Sequence, residues 1–337
     1  QGLSGVGGKR PLMLVTGGAG FIGSNVVARF AADADVVVSD RFGSDDRWKN
    51  VAKHELADVV SPERLDDFLD AHRDRIDVVV HMGAISATTE RDVDRILHNN
   101  FELSRNLWRR SAEHGWRFVY ASSAATYGGG EAGFVDDPAP DALARLRPLN
   151  PYGWSKHLFD RYVAGRLARG EAAPPQWAGL KFFNVYGPNE YHKGSMKSVV
   201  AQIFPGASRG EPVRLFRSHR PDFEDGGQSR DFIFVDDCVR VIEWLVENPE
   251  AGGLFNVGTG RARSFADLAR AVFAALDRPE RIEYVDTPVE IRDRYQYFTE
   301  ADTARIRAAG FSAPFTELED GVDTYVRRYL ATDDPYR

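Results

Sequence analysis

Short apolar runs alternate with amphipathic segments along the first half of the chain. The first apolar run, Leu12 to Val15, leads into a glycine cluster that is followed by a helical pattern over Ile22 to Phe30. A second run, Val36 to Val38, is made of β-branched residues. Apolar residues three and four apart indicate an amphipathic helix, and a short continuous apolar run indicates a buried strand. The order therefore predicts strand, turn, helix and strand.

The same alternation recurs further along the chain. Buried strands are predicted at Val78 to His81, Phe118 to Ser122 and Lys181 to Val185. Helical patterns over Arg91 to His114 and Pro151 to Arg169 lie between them. Short apolar strands separated by helices are typical of a parallel sheet covered on both faces. The predicted fold class is therefore α/β, a Rossmann-type doubly wound parallel sheet.

The regular alternation breaks after Val185. A region rich in glycine, proline and arginine extends from there to about Gln228, and we interpret it as the start of a second, smaller α/β domain. A strand-and-helix pattern resumes over Asp231 to Glu247, which predicts that the chain returns to the first domain at about 231–250. The predicted division is a first domain over residues 11–185 and a second over most of residues 186–337.

Composition and charge exclude several classes of protein. The chain is 43% hydrophobic and 28% charged, which favours a folded protein, and its net charge of −7 argues against a nucleic-acid partner. No apolar run approaches the roughly 18 residues of a membrane helix, and residues 1–10 lack an apolar signal core. The single cysteine, Cys238, excludes disulfides within the chain and thiolate metal clusters. We therefore expect a cytoplasmic protein with no metal and no membrane partner.

The glycine cluster has the spacing of a dinucleotide-binding turn. Gly17 permits a tight turn, Gly20 lets the backbone approach a pyrophosphate, and Gly23 lets the helix pack close to the sheet. The start of the helix offers free N–H groups and the positive end of its dipole to phosphates. Asp40 follows the second strand, where a carboxylate commonly binds ribose hydroxyls. The first domain is therefore predicted to bind a dinucleotide.

The residues around Asp40 leave the choice of dinucleotide open. A carboxylate at this position repels a 2′-phosphate and favours NAD. Arg41 and Arg47 would bind the same phosphate through charge-assisted hydrogen bonds and favour NADP. Both arginines could equally be solvated surface residues.

A tyrosine and a lysine four residues apart form a candidate proton-transfer pair. Tyr152 and Lys156 fall on one face of the predicted helix, and Ser123 follows the strand that precedes it. A phenol with the ordinary pKa of about 10 needs roughly 4 kcal/mol of differential stabilisation to act as a base near pH 7. A nearby ammonium and an oxidised nicotinamide both favour phenolate. Such pairs also occur by chance on many helices.

Six further motifs extend the pattern over most of the chain. They are HMGAISATTE at 81–90, YASSAATYGG at 120–129, LNPYGWSK at 149–156, FNVYGP at 183–188, HKGSM at 192–196 and RYQYFT at 294–299. With these motifs the chain resembles the extended short-chain dehydrogenase/reductase superfamily and, within it, the ADP-L-glycero-D-manno-heptose 6-epimerase family. The first, fifth and sixth motifs discriminate within the superfamily, whereas the glycine turn and the Tyr152/Lys156 pair do not.

The resemblance implies an isomerase of lipopolysaccharide biosynthesis that inverts C6 of a nucleotide-linked heptose. Its bound NADP, or NAD, is reduced and reoxidised in each turnover, and the protein is a homo-oligomer, with a pentamer as one outcome. Tyr152 and Lys193 would be the two acid/base groups, supported by Ser123 and Lys156. Without the family, Lys193 would be interpreted as a surface residue or a diphosphate contact.

The resemblance also assigns binding residues position by position. Beyond the glycine turn (Gly17, Gly20, Gly23), the implied cofactor contacts are Phe21, Ile22, Asp40, Arg41, Arg47, Met82, Gly83, Ala84, Ile85, Ser86, Asn99, Lys156 and Val185. The implied contacts of the ADP-heptose substrate are Asn184, Ser195, Gln202, Phe216, Arg217, Ser218, His219, Arg230 and Tyr295. Three positions depart from the family pattern: Arg41 replaces an asparagine, Met82 an acidic residue, and Gln202 a substrate-side histidine.

Two other functions remain open. A nucleotide-sugar epimerase acting at C4 of a hexose would need the same cofactor site but not Lys193. A catalytically silent NADP-binding sensor would not need Ser123, Tyr152 or Lys156. A dehydratase is disfavoured because Ala124, Ala125 and Thr126 leave no acidic pair after Ser123.

Overall fold

The protein, described here from a computed structural model, is organised around strands that alternate with helices. The structure describes residue 3, residues 8–293 and residues 295–337, so Arg294 of the sixth motif lies outside the described residues. The strands are β1 (Leu12–Thr16), β2 (Asp35–Ser39), β3 (Asp58–Val60), β4 (Ile76–His81), β5 (Arg117–Ser123), β6 (Trp177–Phe182), β7 (Asn184–Tyr186), β8 (Val213–Phe216), β9 (Ser229–Arg230), β10 (Phe232–Phe234), β11 (Gly253–Val257), β12 (Arg263–Ser264) and β13 (Ile282–Val285).

Seven of these strands form the central sheet. Their order is β11-β6-β5-β4-β1-β2-β3, and every neighbouring pair is parallel. The order reverses beside β1, which is the topological switch point where doubly wound sheets bind their ligands. Thr16 is in register with Ser39 on one side and His81 on the other. The predicted Rossmann-type fold class is confirmed.

Helices cover both faces of this sheet and extend beyond it. They are α1 (Phe21–Phe30), α2 (Leu65–His72), α3 (Val93–Ile96), α4 (Leu103–His114), α5 (Pro140–Leu143), α6 (Pro151–Ala168), α7 (Val199–Ser208), α8 (Val235–Glu247), α9 (Phe265–Ala275), α10 (Val289–Arg292), α11 (Ala304–Ala308) and α12 (Leu318–Tyr325). In the described part of the chain, none of them is long and apolar enough to cross a membrane.

Side chains of the central strands alternate between two buried faces. On β1, Met13 and Val15 contact one hydrophobic cluster, which includes residues of α1 and α8. Leu12 and Leu14 contact the other, to which α2, α4 and α6 contribute. A parallel sheet buried on both faces needs continuous apolar strands, and this is why the strand sequences show no polar alternation.

A third hydrophobic cluster lies beyond the sheet and involves the smaller strand pairs. It joins residues of α7, β8, β10, α9 and α12. Strand β11 follows α8 and returns to the main sheet beside β6. The proposed division into two domains, with the return at about 231–250, stays a prediction.

The structure differs from the predicted elements at three places. The strand expected over Lys181 to Val185 is divided between β6, which ends at Phe182, and β7, which begins at Asn184 and pairs with β10 outside the central sheet. The helix expected over Arg91 to His114 starts at Val93 and contains a π-helical turn at Leu97–Glu102. The region after Val185, where the sequence shows no regular alternation of strand and helix patterns, contains the ten-residue helix α7 although Pro205 lies inside it. Buried Val200, Ala201 and Ala207 hold this helix in place, because tertiary packing outweighs the loss of one backbone hydrogen bond.

Two valines provide a matched test of this core. Val79 on β4 is fully buried, whereas Val59 on the edge strand β3 is 46% exposed. Val79→Ala is expected to lower the free energy of unfolding by about 2 kcal/mol, because it removes two methyl groups and leaves a cavity. Val59→Ala should lower it by less than about 0.5 kcal/mol. Urea denaturation of both variants measures the difference, and equal losses would contradict the described sheet.

Candidate active site

A cavity of about 780 Å³ lies where the carboxyl ends of the central strands meet. All four predicted catalytic residues and every predicted cofactor residue line it. These are Gly17, Gly20, Phe21, Ile22, Gly23, Asp40, Arg41, Arg47, Met82, Gly83, Ala84, Ile85, Ser86, Asn99, Ser123, Tyr152, Lys156, Val185 and Lys193. The structure thus brings together residues from eight separate stretches of sequence (17–23, 40–47, 82–86, 99, 123, 152–156, 185 and 193), although their roles stay predictions.

The glycine turn has room for backbone only. Gly17 has a φ of +63°, and a Cβ there would stand 2.6 Å from the Cα of Gly83. A Cβ on Gly23 would stand 2.1 Å from the carbonyl oxygen of Gly17. Helix α1 begins immediately after Gly20, so the first N–H groups of the helix face the cavity side of the turn. Such a cradle fits a pyrophosphate.

Asp40 stabilises this turn by accepting backbone hydrogen bonds. One carboxylate oxygen accepts the N–H of Ala19 at 3.0 Å, and the other accepts the N–H of Arg41 at 2.7 Å. Burial raises the pKa of Asp40, and these hydrogen bonds oppose the shift. The carboxylate lies directly after β2, as expected for a residue that meets the ribose.

The two arginines beside Asp40 have different partners. Arg41 is exposed and forms an ion pair with Glu63 at the rim of the cavity. Arg47 donates from Nη1 to the carbonyl oxygen of Arg41 at 3.4 Å, and its Nη2 lies 3.9 Å from Asp45. The Nε of Arg47 is buried without a hydrogen-bond partner among the described residues. An unpaired buried guanidinium N–H fits an anionic group of a bound dinucleotide.

Tyr152, Lys156 and Ser123 approach the cavity from α6 and the end of β5. Asn150 caps α6 by accepting the N–H of Gly153 at 2.8 Å, which sets Tyr152 in the first turn. The ammonium of Lys156 donates to the carbonyl oxygen of Ala121 at 2.8 Å. Tyr152 and Lys156 lie one helical turn apart, as the spacing predicts.

The pKa values of this pair differ from the simple expectation. Burial lowers the pKa of Lys156 to about 8, although the carboxylate of Asp160 opposes the shift. Burial raises the pKa of Tyr152, and a hydrogen bond with Ser123 opposes that shift. The protein's own groups therefore do not make Tyr152 a base near pH 7. A lowered phenol pKa requires positive charge from a bound group, such as oxidised nicotinamide.

Asn100 is a buried residue behind the cavity wall that the sequence analysis missed. Its Nδ2 donates to the carbonyl oxygen of Ile85 at 2.9 Å and to Ser155 Oγ at 3.1 Å, and its Oδ1 accepts the N–H of Ile85 at 2.8 Å. Ser155 in turn donates to the carbonyl oxygen of Tyr152 at 2.6 Å. Two consecutive asparagines inside a helical pattern were the available signal. Both asparagines lie in the π-helical turn, and only the structure shows that Asn99 lines the cavity while Asn100 is buried.

A buried histidine connects Asn100 to the glycine turn. Ser104 donates to the carbonyl oxygen of Asn100 at 2.6 Å, so its oxygen accepts the Nε2–H of His81 at 2.8 Å. The Nδ1 of His81 then accepts the hydroxyl of Thr16 at 2.5 Å, and Thr16 accepts the N–H of Gly83 at 3.1 Å. Burial lowers the pKa of His81 to about 3, so the ring is neutral. Each group in this chain has a donor or acceptor that matches its partner.

Lys193 reaches the cavity from a different element. It lies in a short 3₁₀ segment, Tyr191–Met196, and its Nζ is 5.5 Å from the centre of the Phe21 ring. Burial lowers the pKa of Lys193, and the charge of Glu190 opposes the shift. The same cavity therefore holds a phenol from α6 and an ammonium from the 3₁₀ segment.

The residues that were predicted only to bind substrate, without a catalytic role, do not line this cavity. Arg230 and Tyr295 gather elsewhere, with the guanidinium 5.6 Å from the tyrosine ring and 5.2 Å from that of Phe265. Phe216 packs edge-on against Tyr295 at 5.6 Å. These three aromatic rings and one arginine form a partly buried surface suited to a base and a phosphate.

The other predicted substrate residues lie around that surface or on the Lys193 side. Arg217, Ser218 and His219 follow β8, and the N–H of His219 donates to the hydroxyl of Tyr297 at 2.9 Å. Ser195 lies in the 3₁₀ segment, and Gln202 donates to its carbonyl oxygen at 3.1 Å. The assignment of all these residues, and of Asn184 at the start of β7, stays a prediction.

The chain belongs to the NAD dependent epimerase/dehydratase family, whose model matches residues 13–258. This confirms the resemblance carried by the motifs. The chain is 51% identical over 332 residues to the ADP-L-glycero-D-manno-heptose-6-epimerase of Nitratidesulfovibrio vulgaris, which covers 96% of this chain and 100% of that protein. It is 42% identical over 335 residues to the protein of the same name from Fusobacterium nucleatum, with coverage of 96% and 100%.

Solved structures agree with these sequence relationships. The crystal structure of the Helicobacter pylori ADP-L-glycero-D-manno-heptose-6-epimerase matches with a TM-score of 0.75 at 27% identity, over 95% of this chain and 96% of that chain. A UDP-glucose 4-epimerase from Thermotoga maritima matches with a TM-score of 0.73 at 26% identity, over 94% and 99%. The fold alone therefore does not distinguish the carbon that is inverted.

His81 gives a testable pH dependence of stability. Its pKa of about 3 in the folded protein lies below the ordinary 6.5, so folding loses stability as the pH falls from 6.5 towards 3. Between pH 7.5 and 5 the wild type should lose about 2 kcal/mol more than His81→Asn, which lacks the titrating ring. Urea denaturation at both pH values measures this difference. His157 and His192 titrate in both proteins and cancel, so parallel losses would contradict a neutral His81.

Proposed function

We propose that this protein inverts C6 of the heptose in ADP-D-glycero-D-manno-heptose to give ADP-L-glycero-D-manno-heptose. The observation that carries the proposal is that Tyr152 and Lys193 line one cavity from two separate elements, beside a dinucleotide-binding turn. The two curated relatives at 51% and 42% identity carry the name of this activity. A 4-epimerase also needs the Tyr152 group but has no use for Lys193.

The reaction requires a reversible hydride acceptor, which a bound nicotinamide supplies. The protein would have to remove the proton of the C6 hydroxyl when the alcohol becomes a ketone. It would also have to supply a proton on the opposite side when the alcohol re-forms with inverted configuration. The overall reaction has no net redox change, and it requires two proton-handling groups because the hydroxyl oxygen changes position.

The protein's own residues meet these requirements. Tyr152 would exchange the hydroxyl proton in one orientation of the substrate, and Lys193 in the other. Ser123, which hydrogen-bonds Tyr152, would orient the hydroxyl, and Lys156 would hold the cofactor beside the phenol. The ammonium of Lys193 lies in a partly buried place, where its lowered pKa makes proton transfer near neutral pH easier.

We propose that the cofactor is NADP. Arg41 and Arg47 lie beside Asp40, and both line the cavity. The exposed pair of Arg41 with Glu63 is weak and would give way to a 2′-phosphate, which binds an arginine more strongly than a solvated carboxylate does. Asp40 and Glu63 together favour NAD, so the preference depends on whether Arg41 leaves Glu63.

The surface that carries Arg230 and Tyr295 would bind the nucleotide diphosphate of the substrate. We further propose that the protein is cytoplasmic and assembles into a homo-oligomer, with a pentamer as one outcome.

Single substitutions test the two-group proposal. Tyr152→Phe and Lys193→Met should each lower the rate of C6 inversion at least about 100-fold, because each removes one acid/base group. The fold and bound cofactor should be retained. The assay incubates the protein with ADP-D-glycero-D-manno-heptose, adds no cofactor, and follows the C6 configuration by NMR.

Lys197→Met is the matched control for the second substitution. It changes a lysine of the same chain segment that does not line the cavity, and its rate should stay within about twofold of wild type. Full activity of Lys193→Met would rule out its role as the second group.

Cofactor preference is tested on Arg41 and Glu63. Arg41→Ala should weaken NADP binding about tenfold and leave NAD binding nearly unchanged, because it removes a charge-assisted contact. Glu63→Gln should strengthen NADP binding about threefold, since Arg41 no longer has to leave a carboxylate. Isothermal titration of protein freed of nucleotide gives both dissociation constants. Glu171→Gln, which breaks the remote ion pair with Arg166, is the control, and equal effects on NAD and NADP would refute this role.

A further inference from the structure

Glu190 is buried with donors on both of its carboxylate oxygens. Oε2 accepts the N–H of Gly187 at 3.2 Å, the hydroxyl of Ser198 at 2.7 Å and the hydroxyl of Tyr325 at 2.8 Å. Oε1 accepts the N–H of Ser198. The residue is only 1% exposed. Its four partners are all donors, and a carboxylate, which only accepts, matches them better than a carboxylic acid would.

These hydrogen bonds close the base of the segment that carries Lys193. The segment 190–198 begins at Glu190, and Ser198 at its other end donates its N–H and its hydroxyl to the Glu190 carboxylate. Inside this 190–198 segment, the N–H of Lys193 donates to the carbonyl oxygen of Glu190 at 3.1 Å. Gly194, with a φ of +56°, permits the turn that follows. The path of the segment, and thus the place of Lys193, depends on the carboxylate.

Tyr325 connects this arrangement to the other end of the chain. It lies at the end of α12, and its hydroxyl reaches Glu190 across 135 positions of sequence. The hydroxyl of the neighbouring Tyr191 donates to the carbonyl oxygen of Pro335 at 2.8 Å. The C-terminal part of the described chain therefore packs against the segment that carries Lys193.

The charge of Glu190 also acts on the ammonium of Lys193. Burial lowers the pKa of Lys193, and Glu190 is the charged group that opposes this shift. Other titratable groups beside the segment are the neutral His192, whose pKa burial lowers to about 4, Arg47 and Asp45, which act on that histidine, and Tyr325 and Tyr191 on the Glu190 side. Burial raises the pKa of Glu190 itself, and the hydrogen bonds from Ser198, Tyr325 and Gly187 oppose that shift. A negative charge beside a buried ammonium keeps it protonated to higher pH.

We propose that Glu190 is a positioning residue for Lys193: its carboxylate closes the ends of the 190–198 segment and places a buried negative charge three residues before the ammonium, in the same turn of the chain. This inference rests on the proposed acid/base role of Lys193. Glu190 does not line the cavity, so it acts through Lys193 and does not meet the substrate.

Glu190→Gln tests the proposal through the pH dependence of the reaction. The amide removes the negative charge, so the limb of the pH–rate profile that disappears in Lys193→Met should move to lower pH by about half a unit to one unit. The rate at the optimum should fall about tenfold or more, because the amide NH₂ group cannot accept the hydrogen bonds of Ser198 or Tyr325. The KM for ADP-heptose should change less than kcat.

Tyr325→Phe and Glu190→Asp separate charge from packing. Tyr325→Phe removes one hydrogen-bond donor and keeps the carboxylate. It should lower kcat modestly and leave the pH of that limb of the pH–rate profile unchanged. Glu190→Asp keeps the charge on a shorter side chain, so it should lower kcat without moving the limb to lower pH. A Glu190→Gln profile that matches these two variants would reduce Glu190 to a packing role and overturn the proposal.

A direct titration of Lys193 keeps the test independent of activity. Competitive acetylation of the folded protein over a range of pH, with mass spectrometry of the Lys193 peptide, reports the pKa of that amine and is referred to Lys197 in the same protein. The pKa should fall in Glu190→Gln and stay in Tyr325→Phe; an unchanged value in Glu190→Gln would overturn the proposal. If Lys193→Met keeps full activity, the proposed function fails, whereas this titration still decides whether Glu190 controls the lysine. Should Glu190→Gln not fold, Glu190→Asp and Tyr325→Phe decide it, since a downward shift in either would contradict the stated role of charge.

Discussion

The glycine turn and the end of β4 approach each other so closely that no side chain fits between them. A Cβ on Gly17 would overlap the backbone of Gly83, while the N–H of Gly17 donates to the carbonyl oxygen of Ser39 at 2.8 Å. The ends of β1, β2 and β4 therefore form one continuous wall of backbone at the switch point of the sheet. A chain of hydrogen bonds runs from Thr16 and His81 through Ser104 to Asn100. From Asn100 it continues through Ser155 to the backbone of Tyr152 on α6. Helix α6 is thus positioned relative to the surface that would bind the pyrophosphate.

Buried charge beneath the site is balanced within the protein. Asp160, one turn after Lys156 on α6, accepts the hydroxyls of Tyr120 at 2.9 Å and Ser122 at 2.7 Å. The ammonium of Lys181, fully buried on β6, lies 3.7 Å from this carboxylate. An isolated buried charge is costly, and removal of one partner leaves the other unpaired. The pair therefore stabilises the end of β5, where Ser123 enters the cavity, and opposes the loss of charge on Lys156.

The two proposed acid/base groups are supported in different ways. Tyr152 lies in the first turn of a long helix that packs against one face of the central sheet, so the core of the fold determines its place. Lys193 lies on a short segment with a positive-φ glycine, held by one buried carboxylate and by the C-terminal helix.

The sequence by itself determined the elements whose signals are local. Apolar runs specified β1, β2, β4 and β5, the spacing of Gly17, Gly20 and Gly23 specified the turn, and a four-residue spacing put Tyr152 and Lys156 on one helix face. Only the tertiary structure decided that helix α7 tolerates Pro205, that Asn99 lines the cavity while Asn100 is buried, and that Glu190 meets Tyr325. These features depend on contacts between residues far apart in sequence, whose energies outweigh local preference. Period and spacing report only on neighbours along the chain, so they contain no information about such contacts.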